Sequence, residues 1–491
     1  MGTEIELKLS LSPAAARQLP AHPLLAGLPF QRQRLLNTYY DTPKRDLEAL
    51  CIAVRFRKKG WQWLLTVKSA EPASGGLAQR SEWECHATPG YFDFTHVTSE
   101  DLRKNLENLV PQLQAIFTTH FQRTAWQVEF GASRIELALD RGGIDSQGRH
   151  SPICEIELEL IDGEIADLFA LARQLQNDLP LRPMIASKAE RGYALFSGLA
   201  PKPFKASNSP LHGGLTPVQA FRQVALSCLE HLQRNEILDK TQQDPEFVHQ
   251  ARVALRRMRS ALKLFAPILP ADFVTAYGDV WKTLAAALGE ARNWDVFVAE
   301  TLPPLAEIFP GLRDIERLRT EGRRRAKKAH QAVESLFASI EYCQVILSFT
   351  ALLLALPDHA ETTLDEFARQ RLDQHAKKSR RLAYRLDQLN ADDRHNLRIQ
   401  LKKLRYTLEF FAPLMPRQRF KPYLAALAQL LDELGLINDH ITAASLIEEV
   451  LGNRRPGPVH GWIAGRHALL IAEVPEALNI WLGQRPPWKQ R

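Results

Sequence analysis

The chain has 491 residues, 45% hydrophobic and 24% charged, the balance of a globular protein of two or three domains. Its formal charge of +7 favours anionic partners without choosing among nucleic acid, phosphate polymers and a membrane surface. Cysteines 51, 85, 154, 228 and 343 are scattered with no CxxC spacing, which argues against a disulfide framework or a zinc site and fits a reducing, cytoplasmic setting.

The first predicted strand, 4–9, begins so near the N-terminus that no signal peptide is expected. It places Glu4, Glu6 and Lys8 on one face, because alternate side chains of a strand point the same way. Further strands are expected at 51–57, with Arg55 and Arg57, at 62–68, with Lys68, and at 79–86, with Arg80, Glu82 and Glu84. A helical stretch near 100–117 precedes strands at 126–130, 134–139 and 153–160, the last carrying Glu155, Glu157 and Glu159. Gly75-Gly76 and Arg141-Gly142-Gly143 read as turns, and 164–176 as a helix. Two of the charged sets are of one sign and repel unless a ligand or metal lies between them. No glycine-rich phosphate loop is present, so side chains must hold any phosphate. The candidate cations are Lys8, Arg55, Arg57, Lys68, Arg80, Arg123, Arg134 and Lys188. The candidate metal ligands are Glu4, Glu6, Glu82, Glu84, Glu136, Asp140, Glu155, Glu157 and Glu159, whose hard oxygens favour Mg²⁺ or Mn²⁺ over Zn²⁺.

Residues 201–215, with Pro201, Pro203, Ser207, Pro210 and Gly213-Gly214, read as a linker between domains at 1–200 and 216–485. Beyond it the periodicity is that of long amphipathic helices. His249-Gln-Ala-Arg252-Val-Ala-Leu-Arg256-Arg257-Met-Arg259 aligns without gaps to His395-Asn-Leu-Arg398-Ile-Gln-Leu-Lys402-Lys403-Leu-Arg405. Each copy is followed by a Leu-Gly pair, Leu288-Gly289 and Leu434-Gly435, read as a turn. At ~100° per residue, His249, Arg252, Arg256, Arg259 and Lys263 form one stripe, and His395, Arg398, Lys402 and Arg405 another. Like charges four apart weaken a helix, so two stripes in register point to a groove for a linear polyanion, with Arg257 and Lys403 beside it. Tyr406 is the one aromatic in the stripes, which suits a base-free phosphate chain and leaves RNA open. The apolar run Val345–Leu356 is too short to span a bilayer and is expected to be a buried core helix, with no membrane partner.

The ordered set Glu4-x-Glu6-x-Lys8, Asn37-Thr-Tyr-Tyr-Asp41-Thr-Pro43, Val54-Arg55-Phe-Arg57, Thr66-Val-Lys68, Arg80-x-Glu82, Glu136-Leu-Ala-Leu-Asp140, Glu155-Ile-Glu157 and Ser187-Lys188 resembles the CYTH domain of the triphosphate tunnel metalloenzymes. The duplicated His-x-x-Arg motif resembles the CHAD domain, the conserved-histidine helical module. The resemblance implies an α+β chain: an eight-stranded antiparallel β-barrel tunnel with its charged faces inward, then an all-α duplicated helical bundle. It implies that Lys8, Arg55, Arg57, Lys68, Arg123 and Lys188 grip a triphosphate, and that Glu4, Glu6, Asp140, Glu155 and Glu157 hold metal with Glu82 or Glu84. Glu84 and Glu159 extend the usual pairs, and Arg141 displaces the usual glycine after Asp140. The expected activity is metal-dependent hydrolysis of inorganic triphosphate to pyrophosphate and phosphate, with inorganic polyphosphate bound by the helical domain. Nucleotide or thiamine triphosphate hydrolysis, adenylate cyclisation, and polyphosphate binding by a catalytically idle tunnel are the alternatives.

Overall fold

Apolar alternates of the first half face outward into small cores, which turns the charged alternates inward. In the computed structural model, which describes residues 2–69, 74–206, 211–236, 244–358, 361–385, 391–452 and 457–489, the strands are β1 (Gly2–Ser10), β2 (Phe30–Asp41), β3 (Ile52–Lys59), β4 (Gln62–Ser69), β5 (Leu77–His86), β6 (Gln114–Phe130), β7 (Ser133–Ser146) and β8 (Arg149–Asp162). They pair antiparallel in the order β5-β4-β3-β2-β6-β7-β8-β1, and β1 pairs again with β5, so the eight strands close into a ring. A two-residue strand, β9 (Arg182–Pro183), pairs with the end of β1.

The helices of this part are α1 (Pro13–Gln18), α2 (Asp46–Ala49), α3 (Glu100–Leu109), α4 (Ile165–Gln176) and α5 (Lys188–Ser197). One outer core joins Leu7, Leu9, Leu137, Ile156 and Leu158 to Leu168, Leu171 and Leu175 of α4. Another joins Val54, Phe56, Leu65, Val67 and Trp83 to Phe94, Val97 and Leu106. The helical part contains α6 (Pro217–Gln233), α7 (Pro245–Phe265), α8 (Ala271–Val296), α9 (Leu302–Ile308), α10 (Arg313–Ala338), α11 (Ile340–Leu354), α12 (Leu364–Ala383), α13 (Ala391–Phe410), α14 (Arg417–Leu451) and α15 (Pro458–Gly483). The two copies of the repeat are α7 with α8 and α13 with α14, each pair joined through an Ala-Pro 3₁₀ turn. No single helix among the described residues is long and apolar enough to cross a membrane.

The chain divides into two units, Met1–Lys202 with Ala338–Ala355, and Pro203–Phe337 with Leu356–Arg491. The apolar run near 345–356 is buried as expected, but α11 belongs to the first unit: Leu347, fully buried, joins the core of α4. A division at 200–216 places this helix with the helical half, whereas its packing groups it with the barrel. Residues 207–210 of the expected linker lie outside the described residues.

Other local expectations fail for identifiable reasons. The helix expected over 100–117 stops at Leu109, since Pro111 lies in a 3₁₀ turn and β6 begins at Gln114. Arg141-Gly142-Gly143 is no turn but the middle of β7. There a Cβ on Gly142 would lie 2.0 Å from the His120 carbonyl oxygen, and one on Gly143 2.1 Å from the His150 ring, so these glycines permit close approach of neighbouring strands. The Leu-Gly pairs are likewise not turns but lie inside α8 and α14. A Cβ on Gly289 would stand 3.7 Å from Nε of Arg252 on α7, an ordinary contact.

Candidate active site

The ring of strands encloses a cavity of about 520 Å³. Among the described residues its wall carries Lys8, Arg55, Arg57, Lys68, Arg123 and Lys188, interleaved with Glu4, Glu6, Glu82, Glu84, Glu157 and Glu159. Each comes from the inward parity of its strand except Lys188, which opens α5. Ser187 caps that helix, its hydroxyl accepting from the Glu190 N–H while the Glu190 carboxylate accepts from the Ser187 N–H, and so fixes where Lys188 enters.

The wall sorts into three sets. At β7 and β8, Lys188 Nζ lies 2.7 Å from Asp140, 2.6 Å from Glu155 and 2.8 Å from Glu157. Arg123 donates two bonds to Asp140, at 2.8 and 2.7 Å, and also reaches Glu157. Asp140, Glu155 and Glu157 bring ligand oxygens within 4.8 Å of one another, the spacing of a metal cluster. An ammonium already stands among them, however, and Asp140 and Glu155 are fully buried behind the wall. Burial opposes charge here, but Lys188, Lys8 and Arg123 hold the Glu157 carboxyl well below the usual range. These carboxylates fix the positions of Lys188, Arg123 and Lys8 on the cavity wall.

The second set is the pair of arginines on β3. Arg55 donates to the Tyr39 hydroxyl at 3.1 Å and reaches Glu82 at 3.5 Å. Arg57 donates to Asn37 at 3.0 Å and lies 3.6 Å from Glu84, which also accepts from Thr66 at 2.9 Å. Burial, then the neighbouring Arg55, pushes Arg57 down to about 10.

The third set is acidic. Lys68 lies 2.7 Å from Glu4 and 3.0 Å from Glu82, and Lys8 lies 3.5 Å from Glu6 and 3.2 Å from Glu157. Glu159 is also close: burial, then Glu4 and Glu136, pushes its carboxyl up to about 7. Glu4, Glu6 and Glu159 offer further hard oxygen donors on the cavity wall, although among the described residues it is Asp140, Glu155 and Glu157 whose oxygens lie within 4.8 Å of one another. Glu136 accepts from Gln127 at 2.9 Å and, like the exposed Arg134, does not line the cavity. The Arg80 side chain lies outside the described residues. Sequence reasoning missed Arg191, one turn beyond Lys188 on α5 and 3.0 Å from Glu155, as well as Asn37 and Tyr39, the partners of the arginines. Period 2 on β2 is the signal that would have found the last two.

In the second unit, a cleft of about 120 Å³ collects His249, Arg252 and Arg256 from α7, Arg398 and Lys402 from α13, Arg292 and Asn293 from α8, and Asp439 from α14. Burial, then Arg398, Arg256 and Arg252, brings Lys402 down to about 7, and burial, then Arg292, brings His249 down to about 4. The remaining stripe residues do not line it. Arg257 is buried and paired with Glu409 at 2.6 Å, and Arg405 donates to the same carboxylate at 2.8 Å. Arg259, Lys263, His395 and Lys403 stand elsewhere on their helices. The groove is thus narrower than the stripes and draws Arg292 and Asn293 from the helix that follows.

Both parts of the chain match known families. Residues 2–193 match the CYTH domain family and residues 223–448 the CHAD domain family. An inorganic triphosphatase of Haemophilus influenzae is 36% identical over 205 residues, 40% of this chain and 55% of that protein, so the match spans about half the relative's length. The crystal structure of the CHAD domain from the plant Ricinus communis is 31% identical, with a TM-score of 0.52, covering 58% of this chain and 98% of that one.

Proposed function

The chain belongs to the CYTH–CHAD family, and we propose that it is a divalent-metal-dependent inorganic triphosphatase whose helical unit binds inorganic polyphosphate. The observation that carries this reading is a closed barrel in which six cations from β1, β3, β4, β6 and α5 surround one cavity. A chain of three phosphates suits it. Among the described residues the wall's aromatic rings are Tyr39, stacked on Phe117, and Phe121, 5.0 Å beneath Lys188 Nζ, and each thus has one face engaged within the protein. That favours inorganic triphosphate over a nucleotide.

Glu4 and Glu6, with Glu159 beside them, would hold Mg²⁺ or Mn²⁺, which supplies charge neutralisation and a water of lowered pKa. Lys188, Arg123 and Lys8 are held by carboxylates in fixed positions, so their charge meets the phosphoryl oxygens without reorganisation. Arg55 and Arg57 are aimed by Tyr39 and Asn37, and they crowd one another until an anion lies between them. Hydrolysis then gives pyrophosphate and phosphate. In the second unit, Arg252, Arg256, Arg398 and Lys402 of α7 and α13, with Arg292 and the neutral His249, against Asp439 make a cleft suited to a phosphate chain. The scattered cysteines, with no CxxC spacing, suit action in the cytoplasm. Phosphate release from inorganic triphosphate, ATP, thiamine triphosphate and long-chain polyphosphate, with and without Mg²⁺, tests the reading. Metal-dependent release that is fastest with inorganic triphosphate is expected.

A further inference from the structure

Lys8 occupies an awkward place in the barrel. β1 pairs with β5 only as far as Leu7, and with β9 only from Leu9. Between these pairings the Lys8 backbone is held by residues outside the named strands: its N–H donates to the Gly76 carbonyl at 2.8 Å, and its carbonyl accepts from the Met184 N–H at 3.0 Å. On its other side Lys8 stays in register with Glu157 of β8, so the turn Ser74–Leu77, closed by bonds of 3.1 Å in each direction, and the segment following β9 complete with β8 the seat of a lysine that lines the cavity.

Helix α11 lies against the turn and against β9, although it is encoded between the two copies of the helical repeat. It packs on α4 and β9 with Leu347, Ala351 and Leu354, an i, i+4, i+7 face. Thr350, fully buried, stands over Gly75. A Cβ on Gly75 would lie 2.1 Å from Thr350 Oγ1 and 2.8 Å from Thr350 Cβ. The Thr350 hydroxyl donates to the Ile346 carbonyl at 2.8 Å, so the side chain cannot easily swing away. On the far side of the turn, a Cβ on Gly76 would lie 2.8 Å from the Lys8 carbonyl oxygen. Both glycines have positive φ, 64° and 88°. Two residues without side chains are thus pressed between a helix and the strand that carries Lys8.

We propose that α11 is a positioning element of the tunnel, with Thr350 and Gly75 setting the seat of Lys8 through the Gly75–Gly76 turn. The inference rests on the triphosphatase reading. It makes the helical half of the sequence a contributor to the geometry of the tunnel, through a helix that packs in the barrel's own unit.

The test uses the full chain and two readouts, kcat/KM for inorganic triphosphate and calorimetric binding of triphosphate without metal. Gly75→Ala, still folded by circular dichroism, is expected to lose at least tenfold in both, and Thr350→Ala in the same chain to recover part of the loss. Leu347→Ala, which removes packing on the same helix away from the turn, is expected to lower Tm while leaving kcat/KM within about twofold. Should Gly75→Ala not fold, Thr350→Met enlarges the helix side of the same contact and is expected to weaken binding. Wild-type kcat/KM and affinity in folded Gly75→Ala or Thr350→Met, or equal losses in Leu347→Ala, would overturn the proposal. A wild-type protein that neither binds nor hydrolyses triphosphate would overturn the triphosphatase reading itself, and this inference with it.

Discussion

Asp140 and Glu4 look alike in the sequence, each an acidic residue on an alternating strand, but their surroundings separate them. Asp140 is fully buried and bonded to Arg123 and Lys188, whereas Glu4 lines the cavity opposite Lys68. Asp140→Ala is therefore expected to cost about 3–5 kcal/mol of stability by urea denaturation, because it leaves two buried cations short of a counter-charge. Arg57→Ala or Lys68→Ala is expected to lower kcat/KM by more than tenfold, about 1.4 kcal/mol of transition-state stabilisation, in steady-state assays. Arg134→Ala, exposed and outside the cavity, should leave it unchanged, and equal losses at all three would mean that bulk charge attracts the substrate. Alternation in the sequence shows which face a side chain takes, but not how deep it lies or where the cavity ends. That is why Arg134 and Glu136 read like Arg123 and Glu157.

At the scale of elements, the repeat was legible because a helical stripe of like charge needs a reason. Its neighbours were not, because Leu-Gly inside a helix has the same composition as Leu-Gly in a turn. The strand β2 escaped the alternation because its first residues are polar and exposed on both faces. The cleft between α7 and α13 carries a pH prediction. Lys402 titrates near 7 in the folded protein against 10.5 for an unperturbed lysine. The unfolded chain thus holds this proton to higher pH, and Lys402 makes the ligand-free protein more stable as pH rises from about 7 towards 10.5. A bound polyanion reverses the shift, so polyphosphate binding is expected to take up protons above pH 7 and to weaken as pH rises further. Calorimetry in two buffers of different ionisation heat measures that uptake; none would show that Lys402 stands apart from the ligand. Reversing charge at Arg252 and Arg398 together is expected to remove polyphosphate binding in a gel shift with helicity retained. Arg257→Glu is expected to lower Tm instead, since that guanidinium is buried against Glu409.

At the scale of the whole molecule, the change from alternating to helical periodicity near residue 200 was plain in the sequence, but the return of α11 to the barrel's unit was not. Nothing in Val345–Leu356 distinguishes a helix buried in its own bundle from one buried elsewhere, because hydrophobicity measures burial and not partner. A fragment ending at Lys202 uncovers the core around Leu168 and Leu175. It is expected to melt well below the full chain by circular dichroism, whereas a fragment that joins residues 338–355 to it should recover much of the difference. Equal melting of the two fragments would make α11 dispensable to the barrel. The central claim, metal-dependent triphosphate hydrolysis in the tunnel, is tested most directly by phosphate release from inorganic triphosphate by the full-length protein and by the Glu4→Gln/Glu6→Gln double variant, each with Mg²⁺ and with EDTA. The account predicts rapid release by the wild type with Mg²⁺ alone and none above background by the folded double variant. Release by the double variant at the wild-type rate, or wild-type release unaffected by EDTA, would contradict it.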